Sequence, residues 1–163
     1  MASKRRPNFL IVLIDDLRFD ELGICGHPYM KTPNIDRIGH EGAIFMDYVA
    51  MQSCTSGRNA FFTGMYPLRT GMIPPQLPGS PTYLKPGTPA LAKFLLDLGY
   101  TTGEFGKNHL GDHTEALPTA HGFQEYWGYL YHLDAMQQVS FPDINKNTNT
   151  QGIAPPVPAE ARR

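Results

Sequence analysis

An unbroken apolar run, Phe9-Leu10-Ile11-Val12-Leu13-Ile14, stops at two aspartates, Asp15 and Asp16. Apolar residues at every position, with no alternation, predict a strand over Asn8–Ile14 that is covered on both faces, as in a parallel sheet packed between helices. The run is too short to cross a bilayer. It also lacks the longer apolar core and small-residue cleavage site of an export signal. The chain therefore reads as having no membrane partner and no leader, with a cytoplasmic location.

Further elements follow in an order that suits such a sheet. Thr32-Pro33 is a cap-then-proline helix start, and Gly42 is the matching stop. Ala43-Ile44-Phe45 reads as a short second strand. Cys54 opens a helix that Thr55 and Ser56 can cap and Gly64 can end. A proline-rich loop from Tyr66 to Gly87 resists regular structure and is expected to wrap the surface. Thr88-Pro89 repeats the helix start, and Leu91, Phe94, Leu95 and Leu98 fall on one helical face before Gly99. Tyr100–Phe105 reads as a third strand, and residues 114–136 as partly helical. The expected fold class is α/β, with a largely parallel sheet and helices on both faces. Residues 7–140 form that domain, and 141–163 a polar, proline-rich tail or linker.

Bulk properties narrow the function. Of the 163 residues, 41% are hydrophobic and 18% charged, which fits a globular chain rather than a disordered one. A formal net charge of -1 supplies no basic field for nucleic acid or an anionic membrane. The Lys4-Arg5-Arg6 cluster reads as a solvated tail. The two cysteines, Cys25 and Cys54, are too few for a disulfide framework.

Ligands of open α/β sheets bind beyond the carboxyl ends of the strands. Three candidate groups fall there by chain order. Asp15 and Asp16 are either ligands for a hard divalent cation, which prefers oxygen donors, or a polar strand terminus. Cys54 is either a small buried hydrophobe or a reactive thiolate beside Arg58, which shares its helical face at i,i+4 spacing. Lys107 and His109 are two residues apart and share one face if the strand continues through them; otherwise they belong to an exposed loop. A lysine holds substrate oxygens, and a histidine exchanges protons near neutral pH.

Five ordered stretches, from Pro7 to Asp134, resemble the N-terminal part of a sulfatase of the arylsulfatase type, in the alkaline phosphatase superfamily. Asn8–Asp16 resembles its opening strand with metal-binding aspartates, and Thr32-Pro33-Asn34-Ile35-Asp36 its T-P-N-hydrophobic-D helix start. Cys54 to Gly64 resembles the signature C-x-P/A-x-R followed by T-G. Gly106-Lys107-Asn108-His109-Leu110-Gly111 resembles G-K-W-H-L-G, and His121-Gly122-Phe123-Gln124-Glu125-Tyr126 the H-G-F-D-x-aromatic run. The resemblance implies a sulfuric ester hydrolase acting on a small-molecule or saccharide sulfate ester. Cys54 would be converted by a maturase to formylglycine, whose hydrate attacks sulfur. Arg58 would hold that modified residue, Lys107 would clamp the sulfate, and His109 would assist. A divalent metal, Ca²⁺ before Mg²⁺, would sit on Asp15, Asp16 and the modified Cys54.

Two positions depart from the family pattern. Ser56 stands where the signature has Pro or Ala, and Asn108 where the family has Trp, an exchange expected to alter packing more than chemistry. Further metal ligands of the family, an Asp-Asn pair among them, fall beyond residue 163, so the chain is expected to be an incomplete part of the domain that exposes apolar surface. The alternatives are a phosphatase or phosphonate monoester hydrolase of the same superfamily, and a truncated, inactive product.

Overall fold

Thr32-Pro33-Asn34-Ile35-Asp36 does start a helix, α1 (Pro33–Glu41), with proline in the first turn, where no N–H is needed. Thr32 occupies the cap position without capping through its side chain. Its hydroxyl instead donates to Asp36 Oδ1 (2.6 Å) and accepts the Gly23 N–H (2.8 Å), while Asp36 Oδ1 also accepts the Ile24 N–H (2.9 Å). The Thr-x-x-x-Asp spacing thus fastens a 3-10 turn, Gly23–Cys25, to the start of α1.

The computed structural model describes residues 6–73, 77–132 and 135. The expected tail at 141–163 lies outside the described residues. The chain divides after Val49 into two compact units. The first holds α1 and two 3-10 turns, Phe19–Glu21 and Gly23–Cys25.

Two expected strands are not formed in that unit. Asn8–Ile14 is irregular and exposed, with Leu10 at 90% and Val12 at 68%, and Ala43–Phe45 is also irregular. A strand needs a neighbour to take its backbone N–H and C=O groups. Among the described residues the only strands pair with each other. The apolar run is strand-like in composition, but among the described residues it joins no sheet.

The second unit contains α2 (Cys54–Thr63), α3 (Pro67–Thr70), α4 (Leu91–Asp97), β1 (Gly103–Lys107) and β2 (Glu125–Tyr129). Gly64 ends α2 as expected, in the left-handed conformation, with its N–H on the Ala60 carbonyl. Thr55 and Ser56 are not caps: Ser53 takes that position, and both residues are buried inside the first turn. The proline-rich loop also departs from expectation, since it folds the single turn α3 and sends Met72 and Leu84 inward. These two pack with Leu110 and Phe62 into one apolar cluster, while Tyr126, Leu130, Tyr131 and Ala135 form another with Leu117. Each fully covered aliphatic side chain there contributes roughly 1.5–3 kcal/mol.

Ala90, not Thr88, is the cap of α4, and two members of its expected apolar face, Phe94 (56%) and Leu98 (59%), are exposed. The third expected strand forms as β1, displaced toward the C-terminus. Its partner β2 was not expected, while the segment before it is partly helical as expected, in two 3-10 turns, Thr114–Ala116 and Pro118–His121. β1 and β2 run parallel, in register from Gly103 opposite Glu125 to Lys107 opposite Tyr129. Gly128 is required in that pairing, because a Cβ there would strike the Gly106 backbone. The result is an α/β arrangement with parallel pairing, as the sequence predicts.

Candidate active site

α2 begins with a strained residue. Ser53 has φ 70 and ψ 156, a region otherwise left to glycine. Its carbonyl accepts the first helical bond, from the Gly57 N–H at 3.0 Å. Cys54 follows at the N-terminal end with a free, partly covered thiol. N–H groups of the first turn, which point out of the helix end, and the helix dipole give this end a positive potential. Thr55, Ser56, Arg58, Asn59 and Thr63 are buried and hold the helix in place. Ser56 anchors the turn directly: its hydroxyl reaches the carbonyls of Met72 (3.2 Å) and Ile73.

Arg58 is 8% exposed, and its Nη1 donates to the Lys107 carbonyl at 2.5 Å. The signature helix and the end of β1 are thereby joined, so the structure brings Cys54's helix, Arg58 and the Lys107–His109 segment together. Lys107 is partly exposed, and His109 is fully buried. The shared strand face expected for this pair does not exist. β1 ends at Lys107, and the chain turns at His109, whose φ is 63. The backbone nevertheless stays against the neighbouring chain: Asn108 N–H donates to the Tyr129 carbonyl and His109 N–H to that of Leu130, both at 2.9 Å. The His109 ring lies edge-on to Tyr131, 5.3 Å between centroids, and tilted against His132 at 5.7 Å.

Asp15 and Asp16 belong to the first unit, where both are exposed and Asp16 has φ 55. No group of three or more His, Cys, Asp or Glu side chains is placed to hold a metal ion among the described residues. Two carboxylates cannot supply the roughly six to eight oxygens that Ca²⁺ takes. The donor set described here does not complete a metal site.

Glu104 escaped the sequence reading, and Asn108 was read there chiefly as a change of packing. Glu104, 9% exposed in β1, takes the Asn108 Nδ2 on both carboxylate oxygens at 3.1 Å. Burial pushes its carboxyl up from 4.5 to about 7, against the opposing pull of the Asn108 hydrogen bond and the Arg58 charge. Asn108, 2% exposed, therefore brings a polar network and not only a change of packing. The available signal was a charged residue inside the Tyr100–Phe105 strand pattern, four residues ahead of an asparagine. Beside the site, burial also lowers the His121 pKa, and the ring nitrogen Nε2 of His121 sits 3.0 Å from the Glu115 carbonyl.

A thiol at a helix N-terminus, an inward arginine bound to a strand end, and a lysine and histidine at and just past that end are thus gathered on an α/β scaffold. The chain belongs to the sulfatase family, whose model matches residues 7–160. It is 41% identical over 138 residues to arylsulfatase A of Bos taurus, covering 82% of this chain and 27% of the relative. Among solved structures, the PsFucS1 sulfatase from Pseudoalteromonas sp. superposes with a TM-score of 0.73 at 33% identity, covering 80% of this chain and 27% of that one. Ps i-CgsB, solved in complex with k-i-k-neocarrahexaose, gives 0.67 at 36% identity over 72% of this chain and 27% of its own. The chain thus spans about a quarter of the length of the proteins it matches.

Proposed function

We propose that the chain carries the nucleophile and sulfate-binding part of a sulfuric ester hydrolase, acting on an aryl or saccharide sulfate. The observation that carries this reading is the Arg58–Lys107 hydrogen bond, which joins the Cys54 helix to the Lys107–His109 segment. Cys54 is the residue a maturase converts to formylglycine, which supplies a hydrated aldehyde oxygen for attack on sulfur. The partly covered thiol at a helix start suits that role, being reachable and set in a positive field. Arg58 holds position 54 from the same helical face and offsets negative charge on the transferring group. Lys107 binds a sulfate oxygen as a point charge. His109 moves a proton at its ring nitrogen as the sulfate leaves. In this reading Asp15 and Asp16 contribute oxygens to a Ca²⁺ or Mg²⁺ ion, but the described donors do not complete that ion's shell, and no step is routed through it.

The test is to co-express the chain with formylglycine-forming maturases and probe the Cys54 peptide with a hydrazide, with mass spectrometry as the readout. Aldehyde at position 54 is the expected result. An unmodified thiol with every maturase, together with no hydrolysis of an aryl sulfate, overturns the reading. Faster turnover of aryl phosphate than of aryl sulfate would favour the phosphatase alternative. A saccharide substrate draws support from the hexaose complex of Ps i-CgsB.

A further inference from the structure

His109 is a fully buried, non-glycine residue at φ 63, a strained conformation that persists only where its neighbours hold it. The residues on either side of it are tied down. Asn108 N–H is taken by the Tyr129 carbonyl, and the Leu110 carbonyl accepts the Leu84 N–H at 2.8 Å. One side chain also spans the turn: Asn108 Oδ1 accepts the Leu110 N–H at 3.1 Å, with His109 lying between the two. The other end of that amide donates to both oxygens of Glu104.

We propose that Glu104 and Asn108 are positioning residues for His109, a buried brace in which the Glu104 carboxylate fixes the direction of the Asn108 amide. The proposal rests on His109 serving the sulfate-ester site described above. An ionised carboxylate accepts and cannot donate, so only the NH₂ end of the amide can face it. The oxygen end is then forced toward the Leu110 N–H, which locks the turn at His109. A protonated acid, or a glutamine, can donate as well as accept, so the preference for the NH₂ end is lost and only the Leu110 N–H still selects the amide direction. An amide or apolar side chain at 104 would sit in this interior at lower cost than a charge. The carboxylate is useful there through its charge. The groups facing it are the Arg58 guanidinium from α2, the Tyr126 hydroxyl from β2 and Asn108. Its titration near pH 7 then makes the brace sensitive to pH in the working range.

The brace is tested by NMR of the full chain with isotope-labelled histidine. His109 is assigned from His109→Gln, and the contribution of the adjacent His132 is removed with His132→Gln. The wild type should show one His109 ring environment at pH 8 and a second as pH falls through about 7. Glu104→Gln and Asn108→Ala should show the low-pH pattern at pH 8 already, whereas Glu104→Asp should retain a pH step. A merely structural role would lower stability in these variants and leave the His109 spectrum unmoved. An unchanged spectrum in Glu104→Gln at pH 8, or no step in the wild type, overturns the proposal. In protein converted at Cys54, Glu104→Gln should lower kcat for an aryl sulfate on the order of tenfold to a hundredfold, with KM unchanged. Equal kcat also overturns it. If the wild type hydrolyses no sulfate ester, that result bears on the sulfatase reading alone, and the spectrum decides the brace.

Discussion

Replacing Glu104 with glutamine keeps the shape of the side chain and one acceptor for Asn108, and removes the charge. In the folded chain the Glu104 carboxyl titrates at about 7 instead of 4.5, because burial disfavours its ionised form. Between those two values the folded chain holds a proton that the unfolded chain has released. Stability must therefore fall as pH rises from about 4.5 to about 7, and it stays level above. At 1.36 kcal/mol per pKa unit, the full loss is roughly 3 kcal/mol. Glutamine behaves like the protonated acid and escapes that loss. Urea denaturation of the two proteins at pH 5, 6, 7 and 8 should show near-equal stability at pH 5, with glutamine ahead by roughly 3 kcal/mol at pH 8. His121 and the other titrating groups are common to both proteins and cancel in the difference. A gap that does not change with pH would refute the argument, because only a group titrating differently in the folded and unfolded chains can open one.

Other substitutions probe the remaining supports. Ser56→Ala removes the hydroxyl bonds to the Met72 and Ile73 carbonyls and should cost about 1 kcal/mol in thermal denaturation, while the restored C-x-A-x-R pattern raises the aldehyde yield at Cys54. Ser53→Gly relieves a strained φ of 70 and keeps an acceptable cap, so it should stabilise the chain by about 1 kcal/mol, read as a raised urea midpoint, and slow any sulfate-ester turnover by loosening the start of α2. Gly128→Ala drives a methyl group into the Gly106 backbone and should cost ~3 kcal/mol or more, with early hydrogen exchange in both strands as the readout.

How much could be read in advance depended on the distance between partners. Cys54, Arg58 and Gly64 were legible because helix starts, i,i+4 pairs and glycine stops are set within a few residues. Thr32 and Asp36 were placed correctly on a helix, yet their bonds to the Gly23 and Ile24 amides lie outside any local rule. β2 was missed because Glu125–Tyr129 has no strong strand pattern of its own and becomes a strand beside β1. Asn8–Ile14 was misread for the converse reason. Its pattern is strong, but among the described residues it joins no sheet. Glu104 was underweighted, since a regular strand holds residues four apart out of hydrogen-bond reach, whereas here Gly106 has φ 118 and β1 ends at Lys107 before Asn108.

That turn belongs to a wider pattern. Among the described residues, positive φ outside glycine occurs at Asp16, Ser53 and His109. One follows the apolar run, one immediately precedes Cys54, and one is the histidine past Lys107. Such conformations cost on the order of 1–3 kcal/mol each and persist only where surrounding contacts impose them. At Ser53 the imposing contacts include the buried face of α2, and at His109 they are the pairing to Tyr129 and Leu130 together with the Asn108 amide. A chain shaped for stability alone would place glycine at these positions. Non-glycine residues there, each in or beside a candidate stretch, are what a site needs when it fixes the direction of a side chain or a neighbouring amide more tightly than a relaxed backbone would.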